Sequence, residues 1–205
     1  MDHNAGGSNW GSAASGTTFT DVTAVSNVSL QSGSDGTTAT IGQRKTAYEK
    51  FEDGETVDVG LIIAGAGDAT HISNLITIAE NRKDAVVFAS PERSDVVGVA
   101  DANTQKSNVV SFFQGIQSSS YVVFDSGYKY MYDRYSDVFR FVPLNGDVAG
   151  LAARTDLVAD SWFSPAGFNR GIVRGAVKLA FNPTKAQRDE LYRACLLYTS
   201  PSPRD

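Results

Sequence analysis

Apolar positions along this chain change their spacing several times, and each change marks an element. Residues 1–35 are rich in Gly, Ser, Thr and Asn with few large apolar side chains. They read as loop or linker with one short strand near Val25–Leu30. Ile41–Glu52 reads as a helix closed by the turn signal Asp53-Gly54. Val57–Ala64 (VDVGLIIA) is a nearly continuous apolar run, the pattern of a strand buried on both faces. Gly65–Asp68 predicts a tight turn. Thr70 then caps a helix to about Arg82, with Ile72, Leu75, Ile76 and Ala79 on one face. Ala85–Ala89 is a second apolar strand. Asn103 or Thr104 starts a helix striped by Val109, Phe112, Phe113 and Ile116, and Tyr121–Phe124 is a third strand. This β-α-β-α-β order predicts a parallel sheet covered by helices through right-handed crossovers.

After the third strand the period becomes two. Tyr128, Tyr130 and Tyr132 alternate with Lys129, Met131 and Asp133, and Phe139 and Phe141 flank Arg140 beyond a short polar turn. Two alternating segments around a short loop predict an antiparallel hairpin with its aromatics on one face. Asn145 is placed to cap a helix carrying Val148, Leu151 and Ala152 that ends before Trp162. Pro165-Ala-Gly167 breaks the chain, Ile172–Phe181 reads as a strand, and Thr184 with Gln187 fits a capping box opening a helix through Tyr192. The expected fold class is α/β: a mostly parallel sheet flanked by helices, an antiparallel hairpin, and the start of a C-terminal α+β domain. The expected layout is a linker over 1–35, a core over 36–164 and the beginning of a second domain over 165–194.

Composition narrows the function classes. Hydrophobic residues make up 41% and charged residues 20% of 205 residues, enough for one or two domains with a real core. The net charge of −5 argues against nucleic acid as a partner. No apolar run approaches the ~20 residues of a membrane span, and the polar start lacks the basic and apolar regions of a signal peptide. The tail Cys195–Asp205 matches, residue for residue, the translation of a transposase-library sequencing adapter. The natural sequence is therefore expected to stop near Ala194 in a gene that continues, which leaves no cysteine and no thiol chemistry.

Candidate chemistry is sparse. Gly65-Ala-Gly67 lies between a strand and a helix as in a dinucleotide site, but Thr70 stands where the third glycine belongs, so a simple tight turn is the plainer reading. His71 beside Asp68 and Ser73 invites a hydrolase reading. Neighbours in one helical turn do not make a triad, and a surface or capping histidine is expected. No second ordered histidine is available for a metal cluster. The tyrosine series 128, 130, 132 and 135 could stack bases or sugars, but alternation and acidic charge favour packing. Asp156 and Asp160, four apart, prove nothing about acid–base work. No cofactor is expected.

Several blocks then carry a resemblance: Tyr128–Asp133 (YKYMYD), Phe141–Leu151 (FVPLNGDVAGL), Ala153–Asp156 (ARTD), Trp162–Gly171 (WFSPAGFNRG) and Gln187–Tyr192 (QRDELY). Tyr48–Phe51 and Glu55–Leu61 join them more loosely. In order and spacing the chain from about Ser32 to Ala194 resembles the contractile tail sheath proteins of myoviruses. The resemblance implies a sheath domain likened to subtilisin without its catalytic residues. It implies a non-enzymatic structural subunit of the virion, assembled in the host cytoplasm. Its partners would be other sheath subunits, the tail tube protein and the baseplate, with no nucleic acid or membrane. Stacked rings of such subunits rotate and slide into a shorter, wider sheath, driving the tube and then the genome through the host envelope. Terminal arms would lend strands to neighbouring sheets. The family-signature residues are Gly146, Ala149, Gly150, Arg154, Asp156, Pro165, Gly167 and Arg170. Arg154, Asp156 and Arg170 are expected to organise the fold around Pro165–Gly167. Family members are several hundred residues long, so an internal fragment is expected. Two other readings remain: a small-molecule-binding or hydrolytic domain using Gly65–His71, and a surface-binding module resting on the Ser/Thr/Gly-rich start and the tyrosines.

Overall fold

A threonine that can satisfy a helix start opens the first element of the computed structural model. Thr40 accepts from Gln43 N–H, and the Gln43 side chain returns the bond to Thr40 N–H at 2.9 Å. This capping box launches α1 (Ile41–Tyr48), which tightens into a 3-10 turn over Glu49–Phe51. The structure describes residues 32–34, 36–160, 162–167, 170–194 and 196. The strand expected near Val25–Leu30 lies outside them. Residues 1–38 and 39–205 form two units, and every element named here belongs to the second.

Three parallel strands follow in the order β1 (Leu61–Ile63), β2 (Val86–Ala89), β3 (Val122–Phe124). Helix α2 (Ala69–Arg82) joins the first two. The short α3 (Arg93–Val96) and α4 (Ala102–Gln114) join the second pair. Side chains alternate across the sheet. Ile62, Val87 and Ala89 pack in the main core with Ile72, Leu75, Ile76 and Ala79 of α2 and Val109 and Phe113 of α4. Val86, Phe88 and Val123 face the other way and meet Val148, Ala149 and Ala152 of α5 (Asn145–Val158). The result is helix, sheet, helix, with each face of β2 covered.

Several sequence expectations need correction. The strand expected over Val57–Ala64 is three residues long, and it is not buried on both faces. Leu61 and Ile63 pair with Val86 and Phe88 on the α5 side of an edge strand and remain 38% and 46% exposed. Asp68, not Thr70, caps α2, accepting from His71 N–H at 2.8 Å. Asp101 caps α4, two positions before Asn103 and three before Thr104. In both cases a carboxylate one turn upstream takes the free N–H.

The hairpin forms as its alternation predicts. β4 (Tyr128–Asp133) pairs antiparallel with β5 (Val138–Pro143), placing Tyr130 opposite Phe141 and Tyr132 opposite Phe139. Tyr130 sits 4.8 Å from Phe141 and 5.4 Å from Phe139, between ring centroids. The strand expected over Ile172–Phe181 shrinks to β6 (Lys178–Leu179) on the other edge of β4. Gly171 and Gly175 interrupt the run that precedes it. Thr184 opens α6 (Lys185–Arg193) through the expected capping box.

Two buried polar side chains tie loops to this frame. Arg82, at the end of α2, reaches the carbonyls of Phe51 at 2.5 Å and Val57 at 2.9 Å. Gln105 donates to Val96, Val99 and Ala180, joining α3, α4 and the segment after β6. Each satisfies backbone oxygens that would otherwise be stranded.

Candidate functional site

In a parallel α/β sheet, ligands gather at the carboxyl ends of the strands. Here those ends carry a closed polar network. The runs VVFAS and VVFDS form β2 and β3, and the parallel register sets Ala89 beside Phe124. The next residues, Ser90 and Asp125, are therefore neighbours. Ser90 Oγ donates to Asp125 Oδ2 at 2.7 Å, and Asp125 Oδ1 accepts from Gly127 N–H at 2.9 Å. Asn145 arrives from the first turn of α5. Its backbone N–H reaches Ser90 Oγ at 3.1 Å and its side-chain amide reaches the Gly65 carbonyl at 2.7 Å, just past β1. Asn145 is thus not the cap expected of it; Leu144 holds the N-cap position with no side-chain bond, and Asn145 ties α5 to all three strand ends.

This network is shut to solvent: Ser90, Asp125 and Asn145 are each 1% exposed. Burial pushes the Asp125 carboxyl up to about 7, partly opposed by its bonds from Ser90 and Gly127 and reinforced by nearby Asp147. Beside it, burial and then the Asp125 charge push the Tyr128 hydroxyl up to about 12. Lys129 reaches across to Asp147 at 2.7 Å and to the Arg174 carbonyl at 3.2 Å, locking the hairpin to α5. Ser90, Asp125 and Asn145 bond to one another and to the backbone at Gly65 and Gly127, so the arrangement clamps strand ends together.

In the Gly65–His71 turn, Gly67 and His71 are buried while Ala66 and Thr70 are exposed. His71 is 2% exposed, not the surface residue expected, and its ring packs edge-on to Tyr48 at 5.5 Å. Burial first, and then Arg44, lower its pKa, against the Ala64 carbonyl and Asp68. A Cβ on Gly67 would stand 2.5 Å from His71 Cδ2, so the glycine serves close packing. Among the described residues no group of three His, Cys, Asp or Glu side chains could hold a metal. No helix there is long and apolar enough to cross a membrane.

The signature residues fall in two places. Ala149 is buried against Phe88 and Val148. Gly146 and Gly150 share its helix, where an added Cβ would meet nothing within 4 Å. Pro165 and Gly167 form a turn in which Gly167 adopts φ +91°, and Gly171 N–H closes on the Gly167 carbonyl at 2.8 Å. Arg170 donates to the Ser164 carbonyl at 3.4 Å and lies 5.2 Å from the Phe163 ring. Arg154 and Asp156 lie on α5 and make no ion pair among the described residues. Ser90 and Asp125 escaped the sequence reading, although the repeated VVF-x-S runs were a signal that two strands end side by side.

Residues 37–197 match the family model described as phage tail sheath protein central domain. The chain is 39% identical over 173 residues to the tail sheath protein of Enterobacteria phage T4, spanning 77% of this chain and 26% of that protein. It is 39% identical over 166 residues to the tail sheath protein of Vibrio phage KVP40, spanning 71% of this chain and 25% of that one. To the tail sheath protein of Salmonella phage ViI it is 32% identical over 177 residues, or 86% of this chain and 27% of that protein. The chain thus spans about a quarter of the length of these curated relatives.

Proposed function

The chain belongs to the phage tail sheath family, and from that premise we propose that the polypeptide carrying it is a structural subunit of a contractile tail. Copies polymerise around the tail tube, meet the baseplate at one end, and contract to drive genome ejection through the host envelope. The subunit assembles in the host cytoplasm and ends in the virion. The match across residues 37–197 carries this reading. The closed network at the strand ends supports it, because Ser90, Asp125 and Asn145 bond to one another and to the backbone. We read the chain as a scaffold rather than an enzyme; His71 is buried against Tyr48 and Gly67, which disfavours the hydrolytic alternative.

Residues 36–164 act in this reading as the core, with 165–194 opening a further domain. Arg170 organises the Pro165–Gly167 turn, with Arg154 and Asp156 supporting it from α5. Expression of the full-length polypeptide, followed by electron microscopy, tests the function. Regular tubes support it; a dispersed protein under conditions that keep it folded rules it out.

A further inference from the structure

Charge and exposed apolar surface are sorted between two segments of the chain. Glu49–Asp58 carries five acidic residues against one basic. It leads into β1, so it lies at the amino ends of the parallel strands, where Arg82 holds it by the Phe51 and Val57 carbonyls. Glu55 and Asp58 are exposed and make no ion pair among the described residues. Phe51 within the segment, and Leu61 and Ile63 just after it, are exposed too.

A second segment, at the edge of the antiparallel sheet, carries the reverse charge. Residues 165–194 hold six basic residues against two acidic. Lys129, paired with Asp147 in the first turn of α5, fixes this segment through the Arg174 carbonyl. Val177 and Ala180 N–H groups bond to β4 on either side of β6. Arg174 and Lys178 are exposed and make no ion pair among the described residues, and Ile172 and Val177 are exposed with them.

The geometry points to a docking surface for a second copy of this chain: the acidic Glu49–Asp58 rim of one copy seats on the basic Arg174–Lys178 rim of the next. The two rims are opposite in sign, border different sheets, and each brings apolar side chains that can exclude water from the contact. Nucleic acid would use the basic rim alone and leave the acidic one idle. Because the meeting patches differ, the contact is heterologous and propagates as a ring or open helix instead of closing on itself as a pair. The inference rests on the sheath reading above and adds which faces meet.

Charge reversal in the full-length polypeptide tests it. One variant carries Glu55→Lys with Asp58→Lys, another Arg174→Glu with Lys178→Glu, and a third carries all four changes. Like charges facing across a contact repel, so each two-site variant should raise the critical concentration for tube formation by more than about tenfold. The four-site variant restores opposite charges in the reversed sense and should return it towards the unaltered value, which a misfolded chain cannot do. Glu55→Cys and Lys178→Cys chains, mixed within tubes under oxidation, should join to each other and not to themselves. Normal tubes from both two-site variants, or tubes in which the mixed cysteines never join, overturn the contact and leave the sheath reading standing. No tubes from the unaltered polypeptide overturn both.

Discussion

Asp125→Asn turns the buried strand-end network into a measurable pH dependence. The Asp125 carboxyl is pushed from an ordinary 3.8 up to about 7. Between those values the folded chain holds a proton that the unfolded chain has released. Stability from this site is therefore full below the unfolded value and is lost as pH rises towards 7. The gap spans roughly three pH units at about 1.4 kcal/mol each, a ceiling of about 4 kcal/mol. Asparagine cannot titrate in this range. Its oxygen can still accept from Gly127, but its NH2 faces a Ser90 hydroxyl that already accepts from Asn145 N–H. That mispairing costs about 1–3 kcal/mol at every pH. Urea unfolding of both proteins from pH 4.5 to 8.5 should show the variant weaker in acid. The gap should then close or reverse by about 2–4 kcal/mol at alkaline pH. A difference that stays constant with pH would refute the reasoning. A variant that grows relatively weaker as pH rises would show instead that the network holds Asp125 as an anion.

Gly67→Ala forces a methyl against His71 Cδ2 and should cost about 1–3 kcal/mol in chemical unfolding. Adding His71→Ala should erase part of that cost, because it clears the overlap. Lys129→Met strands Asp147 beside a buried partner site and should cost about 3 kcal/mol in chemical unfolding.

Much of the fold was legible because its core elements follow one strong period each. Leu75 and Ile76 of α2 repeat at helical spacing, and Tyr128 to Tyr132 alternate as a strand must. Boundaries failed where a carboxylate competed with a hydroxyl for the same helix start, as Asp68 did with Thr70 and Asp101 with Thr104. Periodicity also cannot say whether an apolar run has a neighbour on both sides. Leu61 and Ile63 read as buried because they are apolar, and they are exposed because β1 is an edge. The polar network was illegible for a different reason. Ser90, Asp125 and Asn145 lie 35 and 55 positions apart in pairs, and only the parallel register makes them neighbours. The family blocks were legible throughout, since each is a local string: YKYMYD, FVPLNGDVAGL and WFSPAGFNRG stand in the chain as written.

The central claim is that this fold repeats along a tail sheath. A helical reconstruction of polymers formed by the full-length polypeptide tests it most directly. The account predicts a hollow tube in which the fold of residues 37–197 recurs in every subunit. The Glu49–Asp58 rim of each copy should face the Arg174–Lys178 rim of a neighbour. Polymers that lack this repeating domain, or a polypeptide that stays monomeric while folded, would contradict it.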